Sequence, residues 1–233
     1  MHITLTGNLG SGKSTISRIF ERDYGYEICS TGHVIRELAK DRGLSVLEMN
    51  KLMSEDPQFD HMIDEKTAEI SRTRINDNIF YDSRLAWHFV GKAFRVFLSV
   101  SLDTSVSRVM GDDRGNVEKY DCFDDCKEKL RARVAEEEKR YKELYDIDYF
   151  DFSNYNLILD STACPAEALA KILYEEAVDF YKASEEGRDY TRFIICKDRG
   201  LDDFTVIAEK YTPELKTLHG HEFYVMTMEK QTR

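Results

Sequence analysis

An excess of basic charge is missing from this chain. Its 233 residues carry 33 lysines and arginines against 44 aspartates and glutamates, a formal net charge of −11. That balance excludes a general nucleic-acid binder, whose surface is basic, and it makes any local cluster of arginines more telling. Long apolar runs are missing too, since none approaches the about 20 residues that a membrane-spanning helix needs. Met1 directly precedes the first apolar run, so no signal peptide is expected and the chain reads as cytoplasmic. Cysteine is scattered and odd in number. Cys122 and Cys126 are four apart, but neither Cys29, Cys164 nor Cys196, nor any nearby histidine, completes a zinc set. Reduced thiols are the expectation. His219 and His221, one glycine apart, read as solvated turn residues rather than metal ligands. The length suffices for one good-sized core with a small appended module.

What the chain does have begins at its seventh residue. Gly7-Asn8-Leu9-Gly10-Ser11-Gly12-Lys13-Ser14 has the spacing G-x-x-x-x-G-K-S of a phosphate-binding loop. The apolar run His2–Thr6 before it suits a buried strand, and Ile16, Ile19 and Phe20 behind it lie on one face of a helix. Gly7, Gly10 and Gly12 let the backbone turn tightly, and the N–H groups through Ser11 and up to Thr15 point at phosphate oxygens from a helix N-terminus. Lys13 is expected to reach the β- and γ-phosphates, and Ser14 to offer its hydroxyl to Mg²⁺. The chain therefore reads as a binder of a nucleoside triphosphate. What receives the phosphate is the next question.

Further strands are expected at Tyr26–Cys29, Asn78–Asp82, Phe94–Val100 and Asn156–Asp160. Helices are expected from Ser30 to Asp41, over 58–74, from Asp121 to Leu144 and after Pro165, with Gly43 as a left-handed cap and Ser45-x-x-Glu48 as a capping box. This alternation predicts an α/β fold: a five-stranded parallel sheet with helices on both faces. Ligands on such sheets bind at the carboxyl ends of the strands, where Ser30, Asp82-Ser83-Arg84 and Asp160-Ser161-Thr162 all fall. From Gly187 the pattern changes. Phe193–Cys196 and Phe223–Met226 read as strands around a helix near Asp202 to Tyr211, either a small C-terminal α/β appendage or extra edge strands.

Arginines stand at three meaningful points. Arg36 follows Ser30 and Thr31, whose hydroxyls sit at a helix mouth; a helix cap plus a surface arginine is the plainer alternative. Arg84 directly follows the third strand and is placed to grip an acceptor phosphate, while Asp82 is placed to hold Mg²⁺ through water. Arg133-x-x-x-Glu137-x-x-Arg140 puts three groups on one helical face, a pattern that a solvated charged surface also produces. Arginine suits phosphate because it is planar, permanently charged and bidentate.

Together these residues resemble the cytidylate kinase family, most closely its archaeal-type form. The resemblance runs through the phosphate loop, Ser30-x-Gly32-x-x-x-Arg36, Arg84-Leu85-Ala86, Glu137-x-x-Arg140-Tyr141-Lys142-Glu143-Leu144-Tyr145-x-Ile147-Asp148 and Leu159-Asp160-Ser161-Thr162, about residues 1 to 180. It implies that Ser30 or Thr31, Arg36 and Arg84 hold a nucleoside monophosphate, and that Arg133, Glu137 and Arg140 contact its sugar and the phosphates. It also implies that Arg108 lies against ATP and that the segment at Ser161 approaches the adenine. The chain departs from the family at His33, where an acid is common, at Ser83, where a glycine stands, and at Asp112, where a second arginine is expected and Arg114 comes two residues later.

The function so implied is in-line transfer of a phosphoryl group from ATP, with Mg²⁺, to a nucleoside monophosphate, CMP or dCMP first. Residues 1–186 would form the kinase domain, with a lid at about 108–145, and 187–233 an extension of undetermined role. A kinase for a small-molecule hydroxyl with Asp82 as base, and a catalytically degenerate nucleotide-binding regulator, are the other readings. No nucleic-acid or membrane partner is expected, and the oligomeric state is left open.

Overall fold

The structure, a computed structural model, describes residues 1–44, 48, 49, 52, 58–111 and 120–228. Ser45 of the expected capping box, and Asp112 and Arg114, lie outside the described residues. Along the described chain run β1 (His2–Gly7), α1 (Lys13–Tyr24), β2 (Glu27–Ser30), α2 (Thr31–Asp41), α3 (Gln58–Thr73) and β3 (Ile79–Asp82). Then come α4 (Ala86–Phe89), β4 (Phe94–Ser99), α5 (Leu102–Gly111), α6 (Phe123–Tyr145), β5 (Leu157–Asp160) and α7 (Ala166–Glu185). The chain closes with β6 (Arg192–Cys196), α8 (Thr205–Lys210), β7 (Glu214–Leu218) and β8 (His221–Thr227). Among the described residues, no helix is long and apolar enough to cross a membrane.

All strands lie in one sheet, ordered β2-β3-β1-β4-β5-β6-β8-β7. The five expected strands are mutually parallel and hold its first five places. Every residue of β1 is buried, as befits a central strand with both faces covered. Alternate residues go to opposite faces. Ile3, Leu5, Val96, Leu98, Leu157 and Leu159 pack with Ile16, Ile19 and Phe20 of α1 and Leu169 and Leu173 of α7. Phe97 and Ile158 point the other way, onto Trp87, Tyr149 and Tyr155. Beside them, Ile79 and Tyr81 meet Val34 and Leu38 of α2 and Ile63 and Ile70 of α3.

Of the two readings of the tail, the strands take the sheet-edge one. β6 adds in parallel to β5, pairing Ile158 with Phe193 and Leu159 with Ile194, and β8 and then β7 follow antiparallel. Ile194, Phe223 and Val225 join the core on the α1–α7 side, and Phe193, Ile195 and Met226 the core on the other. Fully burying such a side chain contributes about 1.5–3 kcal/mol, so the extension is held by the same core as the body. The strand β7 had no signal in the sequence, because Glu214 to Thr217 are all exposed and carry no alternation of burial.

Candidate active site

The phosphate loop joins β1 to α1 in a shape that only glycine allows at two points. Gly7 has φ 154° and lies so close to β4 that a Cβ would stand 2.2 Å from the Leu98 carbonyl oxygen. At Gly10, φ is 70° and a Cβ would sit 2.8 Å from the Ser105 carbonyl oxygen of α5. The loop is also tied internally: Ser11 Oγ donates to the Asn8 carbonyl at 2.8 Å, and Ser105 Oγ donates to that of Leu9 at 2.6 Å. Lys13 Nζ donates to the carbonyls of Gly7 and Asn8 at 2.8 and 3.0 Å, which keeps the ammonium at the loop's centre.

Among the cavities that border this loop, two share Lys13. The first, about 720 Å³, is bordered by Gly10 to Thr15, Arg18, Arg84 and Arg108, with Pro165 and Leu169 forming its apolar end. That size suits a nucleotide-scale ligand. Arg108 braces it: Nη1 donates to the Gly10 carbonyl and Ser161 Oγ, each at 3.2 Å, and Nη2 to the Ser161 carbonyl at 2.6 Å. Ser161 itself is fully buried and does not border the cavity; its N–H and Oγ both donate to the Ser99 carbonyl, at 2.9 and 3.0 Å.

The second cavity, about 380 Å³, lies between the end of β3, α3 and α6. Lys13, Arg84, Arg133 and Arg140 border it together with Asp64, Asp82 and Glu137, four cations against three carboxylates. The helical spacing in α6 brings Arg133, Glu137 and Arg140 to the border of the same cavity. Arg84 pairs with Glu137, whose other oxygen accepts from Arg133 Nε at 3.4 Å. Thr31 borders the cavity, but Ser30 and Arg36 do not. Ser30 is spent as the N-cap of α2, its Oγ accepting from the His33 N–H at 3.2 Å. Arg36 projects from the exposed side of α2.

Lys13 and Arg84 border both cavities. They stand at the junction where the two cavities adjoin.

Asp82 closes the junction at the carboxyl end of β3. Burial pushes its pKa up, while the Lys13 charge and the Ser17 hydroxyl, 3.1 Å from its Oδ2, hold it down; the net direction is upward. Ser14 sits exposed at the first turn of α1. A hydroxyl and a carboxylate are hard oxygen donors, the set that suits Mg²⁺. A ligating carboxylate must be ionised, so if Asp82 holds Mg²⁺, its upward pKa would let acidification weaken that hold sooner than for an ordinary aspartate. Half-saturating Mg²⁺ is accordingly expected to rise as pH falls. Asp82→Asn should raise it about 10-fold or more and flatten that pH dependence. A magnesium titration across pH that is identical in the variant would refute the assignment.

Several site groups gave no sequence signal. Ser17, one turn beyond Lys13, reads as a plain helix residue. Asp64 lies within the charged face of α3, and only the fold reveals that Tyr145 Oη donates to its Oδ2 at 2.5 Å on the cavity wall. Elsewhere, Cys122 caps α6, and among the described residues no group of three His, Cys, Asp or Glu is placed to hold a metal. His219 lies 2.9 Å from Glu175.

Comparison with known proteins bears on this arrangement. A sequence profile described as the Cytidylate kinase-like family matches residues 2–163. A protein named Cytidylate kinase from Methanocella arvoryzae is 32% identical over 183 residues, covering 78% of this chain and 100% of that protein. Another so named, from Natronomonas pharaonis, is 35% identical over 188 residues, 80% of this chain and 93% of that one. Among solved structures, an uncharacterized protein from Eubacterium ventriosum superposes with a TM-score of 0.55 at 14% identity, over 76% of this chain and 98% of that chain. The last supports the fold alone.

Proposed function

The chain belongs to the cytidylate kinase-like family, and from that premise we propose that it transfers the γ-phosphoryl group of ATP to a nucleoside monophosphate, CMP or dCMP first. The observation that carries this reading is the pair of cavities meeting at Lys13 and Arg84. Each has its own phosphate-binding equipment. The first, with the loop N–H groups, Arg108 and an apolar end, is the donor half. The second, rich in arginine, is the acceptor half.

In the reaction an acceptor phosphate oxygen bonds to the γ-phosphorus as the bond from that phosphorus to the β–γ bridging oxygen breaks, and ADP leaves with the electron pair. No strong base is needed, because the acceptor is already an oxyanion. Positioning and charge compensation do most of the work in so loose a transition state. Lys13 supplies a cation where the transferring group passes. Arg84 meets the acceptor phosphate, exchanging its bond to Glu137 for one to the incoming oxyanion, and Arg133 and Arg140 add charge from α6. Ser14 and Asp82 would hold Mg²⁺, which supplies charge neutralisation at the β- and γ-phosphate oxygens when bound. Residues 1–186 form the catalytic body in this reading and 187–233 the extension.

Four cations around the acceptor cavity favour a phosphorylated acceptor over a bare hydroxyl. Asp82, already engaged by Ser17 and beside Lys13, is better placed for the metal than for a hydroxyl proton. For the base, Asp64 offers a carboxylate oriented by Tyr145, the group that accepts from the exocyclic amine of cytosine and repels the O4 of uracil. Asp64→Asn is expected to shrink the preference for CMP over UMP in kcat/KM by about 10-fold; an unchanged ratio would remove Asp64 from base selection. The reading as a whole is tested by ADP release with ATP, Mg²⁺ and each of CMP, dCMP, UMP, AMP and GMP. CMP and dCMP should lead. Equal rates for all five would sink the base assignment, and no turnover with any would sink the kinase reading.

A further inference from the structure

Asp160, the last residue of β5, is fully buried. A carboxylate in that position needs a counter-charge, and losing it leaves an uncompensated ion in the interior. The charge comes from the C-terminal extension. Arg199, 39 residues further on, donates from Nη1 to Asp160 Oδ1 at 2.5 Å and to Ser99 Oγ at 2.7 Å. The extension also sends the Cys196 N–H to Asp160 Oδ2 at 3.3 Å. Asp160 Oδ1 in turn accepts from Thr162 Oγ1 at 2.8 Å, and Thr162 Oγ1 accepts from the Ser101 N–H at 2.9 Å. Ser161, between these two anchored residues, is what Arg108 rests on, and the same guanidinium holds the Gly10 carbonyl of the phosphate loop.

We propose that the C-terminal extension completes the donor half of the active site, with Arg199 as a positioning residue that fixes the 160–162 segment and, through Arg108, the phosphate loop. Cys196 and Arg199 both lie beyond residue 163, where the match to the family profile ends. Arg199 has no place on the wall of either cavity; it acts through Asp160. The contacts run continuously from Arg199 to Asp160, to the backbone of the 160–162 segment, to Arg108 and to Gly10. None of them touches the acceptor cavity, so the effect of breaking the first should be selective for the donor. The inference rests on the donor assignment made above.

The test uses the full chain and reads MgATP binding by calorimetry without any acceptor, alongside KM for ATP and for CMP. Arg199→Met keeps the side chain's bulk and removes its charge. It is expected to raise the Kd and KM for ATP about 10-fold while KM for CMP stays within about twofold. Arg199→Lys should recover part of the loss, and so should the double variant Asp160→Asn/Arg199→Met, which removes both charges. An Arg199→Met protein that binds ATP as the wild type does would overturn the proposal. So would equal rises in both KM values together with a lowered melting temperature, which mark a general structural role. If Arg199→Met fails to fold, Arg199→Lys decides: a selective weakening of ATP binding supports the proposal and wild-type binding refutes it. A wild type that binds MgATP but phosphorylates no nucleoside monophosphate would defeat the proposed reaction and leave the calorimetric comparison standing.

Discussion

Lys13→Ala is expected to cut phosphoryl transfer to every acceptor by about 10³-fold or more, since a single preorganised donor at developing charge is worth about 10²–10³ and Lys13 carries a full charge at the junction of both cavities. The loss should appear in kcat, because the ammonium meets charge that develops during transfer. The fold should survive. Lys13 Nζ is bonded to two loop carbonyls, those of Gly7 and Asn8, while the loop's shape is set by Gly7, Gly10 and the hydroxyls of Ser11 and Ser105. A melting temperature near that of the wild type would therefore accompany the loss. Single-turnover formation of ADP measures it, and a variant that retains activity within about tenfold of the wild type would contradict the role given to Lys13.

Arg84→Ala should separate the two halves of the site. With the guanidinium gone, the acceptor phosphate loses its partner at the junction, and Glu137 is left facing the cavity with less compensation. Both changes act against an incoming anion. The expected result is a fall in kcat/KM for CMP of about 10²–10⁴, from lost positioning and lost charge together. ATP binding should change little, because the loop N–H groups, Lys13 and Arg108 remain. Equal CDP formation by variant and wild type would remove Arg84 from the acceptor site. A loss of ATP affinity as large as the loss for CMP would show that the two cavities have been divided wrongly.

How much of this was legible beforehand depended on how local each signal was. The phosphate loop is contiguous, and its strand–loop–helix context was readable in a window from His2 to Phe20. The strands β1, β3, β4 and β5 stood out as short apolar runs because they are buried along nearly all of their length, whereas β2 at the sheet edge is half-buried. Arg133, Glu137 and Arg140 were readable as one face of α6, although the same spacing fits a solvated surface; only the fold shows that they border one cavity with Asp82 and Arg84. Arg36 and Ser30 illustrate the converse. Their spacing from the strand end suited a phosphate, but the helix begins at once after β2, Ser30 serves as its cap, and neither residue borders the second cavity.

The illegible parts are long-range. Asp64 and Tyr145 meet across 81 positions in sequence, and each alone is an ordinary helix residue. Asp160 reads as the end of a strand and Arg199 as a residue between elements, and nothing local marks the aspartate as fully buried. The strand β7 is exposed along most of its length, so its pairing to β8 depends on backbone hydrogen bonds that leave no pattern in the side chains.

In the proposed reaction, donor and acceptor occupy one continuous site joined at Lys13 and Arg84. It is tested most directly by a bisubstrate compound in which cytidine and adenosine are linked through five phosphates. Spanning both cavities, it should inhibit competitively against ATP and competitively against CMP, and bind more tightly than either nucleotide because its second half binds at high effective concentration. Competition with one substrate only, at an affinity no better than that of the nucleotide it displaces, would show that the two cavities do not form one continuous site.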